Sequence, residues 1–162
     1  MIIIVMGVSG CGKTTIGKQL SQSMKVPFYD ADDFHPLVNV QKMANGEPLN
    51  DDDRRPWLQS LADHIVQWKS TGGAVLACSA LKESYRKILG SGMTEIQWVY
   101  LPGTYDQIKT RMENREDHYM KADLLRSQFE ALEEPDYGIR VDISLSPKEI
   151  VHSILARWND AR

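Results

Sequence analysis

The chain has 162 residues, 42% of them hydrophobic and 25% charged, with a formal net charge of −3. That is about one domain's worth of sequence, able to bury a core of its own, and it has no basic excess to attract nucleic acid. The opening apolar run is too short and too poorly flanked for a membrane span or a signal peptide, and Cys11 and Cys78 make neither a disulfide framework nor a metal set, so a cytoplasmic chain without a membrane partner is expected.

Taken in chain order, a first strand is expected over Ile2 to Met6, followed at once by Gly7-Val8-Ser9-Gly10-Cys11-Gly12-Lys13-Thr14-Thr15. This stretch fits G-x-x-x-x-G-K-[ST] at every fixed position and binds a nucleoside triphosphate. Gly7, Gly10 and Gly12 let the backbone bend until successive N–H groups point at phosphate oxygens. Lys13 then brings a compact charge to the β- and γ-phosphates, and Thr14 offers a hydroxyl to Mg²⁺. A helix over Lys13 to Met24 aims its positive end at the anion. Cys11 reads as a small buried filler within the loop.

Short apolar runs then alternate with amphipathic stretches, the pattern of βαβ units in a parallel sheet covered on both faces. Further strands are expected at Pro27 to Asp30, Ala74 to Cys78, Ile96 to Leu101 and Arg140 to Ile143. Helices are expected at Arg54 to Thr71, Ala80 to Leu89, Tyr105 to Asn114, Lys121 to Leu132 and Pro147 to Asn159, the last capped by Ser146. Ligands on such sheets gather beyond the carboxyl ends of the strands.

Four segments there carry chemistry. Asp30 and Asp32 close the second strand beside the phosphate loop; Asp30 is assigned to the magnesium shell and Asp32 to the acceptor hydroxyl. The strand Ala74 to Cys78 ends without an aspartate, which leaves Asp30 as the natural second metal carboxylate. In Asn50-Asp51-Asp52-Asp53-Arg54 the acids and Asn50 suit a helix start, while Arg54 either holds an anionic or polyhydroxylated substrate or pairs with its acidic neighbours. After the third strand, Lys82 is placed near the site and Arg86 is left open. Arg111 and Arg115, followed by a polar stretch and another helix, read as the arm of a lid that brings positive charge to the transferred phosphoryl group.

Together, GVSGCGKTT, DADDFHP, NVQKMANGEPLNDDDRRPWL, CSALKESYR and QFEALEEP resemble the gluconate kinase (gluconokinase) family, small relatives of shikimate kinase and the nucleoside monophosphate kinases, over nearly the whole chain. The resemblance implies a three-layer α/β P-loop fold over 1–162, with a five-stranded parallel sheet, a substrate-binding helical segment near 35–60 and a small lid near 115–130. It further implies ATP with Mg²⁺, phosphorylation of the terminal hydroxyl of D-gluconate, and a homodimer. By position it supports Gly7 to Thr15 for phosphate, Asp32, His35 and Arg54 for the sugar acid, and Arg111, Arg115 and Gln128 for the lid and nucleotide side. Where shikimate kinases carry an arginine before Pro-x-Tyr to seize a carboxylate, this chain has Glu133-Glu134-Pro135-Asp136-Tyr137. The acid end must then meet another cation, with Arg54, Lys82 and His118 the candidates. A nucleoside monophosphate kinase and a nucleotide-dependent switch are the competing readings; the chain lacks the N-K-x-D guanine motif of the latter.

Overall fold

The computed structural model describes residues 1–92, 95–114 and 122–160. The five strands are β1 (Ile2–Met6), β2 (Phe28–Asp30), β3 (Ala74–Ala77), β4 (Gln97–Tyr100) and β5 (Ile139–Arg140), all parallel in the order β2-β3-β1-β4-β5. Every residue of β1 and β3 is buried, as strands covered on both faces must be.

Side chains alternate across the pleat, so β1 feeds two cores. Ile3 and Val5 join Ile16, Leu20, Val99, Ile108 and Ile154 on one face. Ile2, Ile4 and Met6 join Leu58, Leu61, Ile65, Leu76 and Leu89 on the other. The first face is covered by helices α1 (Lys13–Met24), α5 (Tyr105–Glu113), α6 (Ala122–Ala131) and α7 (Pro147–Asp160), the second by α3 (Asp51–Ser70) and α4 (Glu83–Leu89). The three layers match the expected class. No helix among the described residues is long and apolar enough to cross a membrane.

Several boundaries differ from the sequence reading. The second expected helix, α3 of the structure, starts at Asp51 rather than Arg54, because Asn50 and Asp53 form a reciprocal cap: the Asp53 N–H donates to Asn50 Oδ1 at 2.8 Å and the Asn50 N–H to Asp53 Oδ2 at 3.0 Å. The third expected helix, α4, starts at Glu83 rather than Ala80. Ala80 has φ 45°, a left-handed value outside the helical region, so 80–82 form a loop. The last strand is confined to Ile139–Arg140, although Val141 and Ile143 go on donating to the carbonyls of Tyr100 and Pro102. Within the stretch expected to be helical near 35–60, α2 (Leu37–Ala44) is separate from α3 and follows a 3-10 turn at Ala31–Phe34. The Ser146 cap forms, with Ser146 and Glu149 bonded reciprocally.

Candidate active site

At the carboxyl end of β1 the chain turns through Gly7 (φ 150°), Gly10 (φ 81°) and Gly12 (φ 104°), backbone values that favour glycine. A Cβ at Gly7 would stand 2.7 Å from Cys11 Sγ and 3.1 Å from the Leu101 carbonyl oxygen, so the loop closes over a buried Cys11 and leaves no room for a side chain. Val8 is buried beneath it as well. Gly12 precedes α1 with no capping side chain, and the first turn of that helix carries no acid. Its leading N–H groups are thus left for an anion. Lys13 Nζ donates to the carbonyls of Gly7 and Val8 at 3.0 Å each, laying the ammonium across the loop. Thr14 and Thr15 are exposed beside it.

Gln128, from α6, grips the same loop in both directions. Its Oε1 accepts from the Ser9 N–H at 2.8 Å and its Nε2 donates to Ser9 Oγ at 2.9 Å. Arg111, from α5, donates instead to the carbonyl of Ile143, just beyond β5. Arg115 and His118 lie outside the described residues.

The end of β2 supplies the carboxylates. Asp30 caps the 3-10 turn, accepting from the Asp32 N–H at 3.0 Å. The turn is locked by Trp57 of α3, whose Nε1 donates to the Ala31 carbonyl at 2.8 Å. The Asp32 carboxyl is pushed above the ordinary aspartate range by the protein mass around the cleft and then by the Asp30 charge, with Lys13 opposing. Its side chain is still 84% exposed, so the crowding acts at a distance rather than by covering the oxygen atoms.

His35 follows, stacked on Trp57 with ring centroids 4.2 Å apart, and its side chain is 4% exposed. Burial and then the nearby Arg54 charge lower its pKa, which keeps the imidazole neutral near pH 7. The tautomer follows from Asn39. That amide nitrogen donates to the Asp53 carbonyl at 2.9 Å, which fixes it as the donor end, and its other contact is His35 Nδ1 at 3.3 Å. Nδ1 therefore accepts, and Nε2 carries the hydrogen, 3.9 Å from Asp32 Oδ1.

Arg54 of α3 and Lys82, in the loop just before α4, come together. Arg54 Nη1 donates to Tyr85 Oη at 3.3 Å and stands 3.9 Å from Asp51 Oδ1; Lys82 Nζ is 3.4 Å from the same oxygen. They border an open hollow of about 500 Å³ between Leu49 and Lys82. Arg54 does pair with an acidic neighbour, as one of the two sequence readings had it, yet among the described residues its guanidinium makes no hydrogen bond besides that to Tyr85. Sequence reasoning missed Asn39, Trp57 and Tyr85, whose parts depend on contacts between separate elements.

Arg86, left open by the sequence, is structural. Only 3% exposed, it donates to Glu83 Oε2, Tyr137 Oη and the carbonyls of Ala80 and Glu133 at 2.7–3.0 Å. The Glu133–Tyr137 stretch that departs from the shikimate kinase pattern is used in the same network: Glu133 Oε1 accepts from the Glu83 N–H at 2.8 Å, and Glu134 accepts from Tyr100 Oη at 3.0 Å. Arg86→Ala strands these acceptors and is expected to lower the unfolding free energy by about 3 kcal/mol or more in urea titration, an effect at least twice that of truncating the exposed Arg55.

The strand order, the glycine cradle and the lysine folded over it define a P-loop phosphotransferase of the shikimate kinase type, and the family model described as shikimate kinase matches residues 9–157. Closer relatives narrow this. The thermoresistant gluconokinase of Escherichia coli (strain K12) is 43% identical over 135 residues, spanning 83% of this chain and 77% of that protein. The gluconokinase of Gluconobacter oxydans (strain 621H) is 44% identical over 160 residues, 96% and 90% of the two chains. The crystal structure of a gluconokinase from Sinorhizobium meliloti 1021 superposes with a TM-score of 0.87 at 39% identity, covering 95% of this chain and 89% of that one. The chain belongs to the gluconokinase family.

Proposed function

We propose that this protein transfers the γ-phosphoryl group of ATP to the terminal (6-) hydroxyl of D-gluconate or a close aldonate, giving 6-phosphogluconate and ADP. The observation that carries the reading is a continuous line of groups along the carboxyl edge of the sheet. The charge of Lys13 reaches Asp32, Asp32 stands beside His35 Nε2, and the charge of Arg54 reaches His35. The solvent-facing carboxylate of Asp32 is thus within electrostatic reach of the phosphate cradle, and the His35 ring beside it is within reach of Arg54 at the hollow.

In this reading Asp32 orients the acceptor hydroxyl and takes its proton, and His35 donates from Nε2 to an acceptor hydroxyl. Gly7 to Thr15 hold the polyphosphate, and Arg111, Arg115 and Gln128 serve the lid and nucleotide side. The donor set fits magnesium. The exposed Thr14 hydroxyl and the Asp30 carboxylate are hard oxygen donors, suited to an ion held chiefly by phosphates and water. Bound there, the ion neutralises charge on the β- and γ-phosphates. One kinase unit spans 1–162, with the acceptor segment near 35–60 and the lid near 115–130, and the same reading includes a cytoplasmic homodimer.

A panel of acceptors tests the reaction. ADP release is measured with D-gluconate, related aldonates, shikimate and nucleoside monophosphates, and gluconate is expected to give the highest kcat/KM. Preference for a nucleoside monophosphate would overturn the assignment. The acid end is tested by Arg54→Lys. An ammonium does not reproduce the two-pronged contact of a guanidinium, so kcat/KM for gluconate is expected to fall about tenfold to hundredfold while KM for ATP stays within about twofold.

A further inference from the structure

Two cations beside the acceptor cleft share one aromatic ring. Arg54 Cζ lies 5.7 Å and Lys82 Nζ 5.6 Å from the centroid of Tyr85. Each cation keeps 33% of its side-chain surface exposed, whereas Tyr85 is 8% exposed and packed in the core where α3 meets α4. The ring is therefore fixed while the charges on it face water. The hydroxyl is used at both ends: it donates to Asp51 Oδ1 at 2.5 Å and accepts from Arg54 Nη1 at 3.3 Å. A phenol has a single hydrogen, so with that hydrogen on Asp51 only a lone pair is left for Arg54, and the direction of both bonds is set. Lys82 donates to the same Asp51 oxygen. Asp52, which also lines the hollow, is taken up by Arg55 at 3.1 Å, so Asp51 alone faces the two cations.

We propose that Tyr85 is a positioning residue for recognition of the acceptor's carboxylate. Its ring and hydroxyl hold Arg54 and Lys82 at a set spacing and tie down Asp51, so that an entering acid meets two donors already in place. The inference rests on the aldonate reading above. Without the hydroxyl, Asp51 loses its shortest hydrogen bond and turns to the two cations, where it competes with the acceptor; Arg54 loses its anchor at the same time. Both changes weaken acceptor binding, and neither touches the phosphate cradle.

The test is a double-mutant cycle on Tyr85→Phe and Arg54→Lys, with KM for gluconate, KM for ATP, kcat and melting temperature measured for all four proteins. Tyr85→Phe is expected to raise KM for gluconate about tenfold with kcat and KM for ATP within about twofold, because the ring and the packing remain. Part of the loss runs through Arg54, so the double variant is expected to raise KM for gluconate by clearly less than the product of the two single effects. Assays well below the lowest melting temperature keep a general loss of stability from imitating this coupling. An unchanged KM for gluconate in Tyr85→Phe, or fully multiplicative effects in the double variant, would overturn the role of Tyr85. If wild type fails to phosphorylate gluconate at all, it is the assignment of the reaction that fails.

Discussion

Lys13→Ala is expected to lower kcat by about a thousandfold or more. The phosphoryl group passes through a state whose charge is spread over its outer oxygens, and Lys13 is the fixed cation of the cradle; removing one pre-set donor of this kind costs about 10²–10³ in rate, and a full charge costs more. The structure adds a reason to expect the fold to survive. In the free loop Lys13 spends its hydrogen bonds on the carbonyls of Gly7 and Val8, which water solvates once the side chain is cut back. A melting temperature within a few degrees of wild type, with phosphoryl transfer nearly abolished, is the expected pair of results. Activity within a few-fold of wild type would remove the loop from the mechanism.

Asp32→Asn is expected to lower kcat by about 10²–10⁴ with little change in KM for ATP, the range for loss of a general base. The pH profile gives a sharper check. In the proposed reaction Asp32 works in its ionised form, and its pKa is raised by the surrounding protein and by Asp30, so activity is expected to be lost on acidification at a higher pH than an ordinary aspartate would dictate. Asparagine does not titrate, so the residual activity of the variant is expected to lack that acid limb. An unchanged kcat with a large rise in KM for ATP would move Asp32 to the metal.

How much of this was legible depended on whether a role is local. The phosphate loop is: its spacing, the strand before it and the helix after it lie within one short stretch, and the structure has the glycine φ values that the pattern requires. Asp30 and Asp32 are picked out by the rule that strand ends carry ligands, and the structure has them at the end of β2 and in the turn that follows. The start of α3 was misplaced although its cap was visible, because any of the acids after Asn50 serves as a first-turn residue. Ala80 was read into α4 because alanine favours helices; its left-handed backbone accompanies a carbonyl that accepts from Arg86. Arg86 itself was undecidable, since the Glu133 and Tyr137 groups that bury it lie far along the chain. Tyr85 was missed for a similar reason: nothing near it announces that α4 will lay its ring between two cations, one of them on another helix.

The bare beginning of α1 has a consequence of its own. Helices α3, α5 and α7 each start on a reciprocal side-chain cap, so their opening turns are complete as soon as the chain folds. Helix α1 starts on a glycine, and no side chain among the described residues caps it. A piece of secondary structure is left unfinished at the centre of the molecule, and a bound polyphosphate is what finishes it. Nucleotide binding is then also a folding event on the scale of one helical turn, and the sheet edge beneath it, held by Cys11 and the Leu101 backbone, is the rigid base on which that last turn is completed.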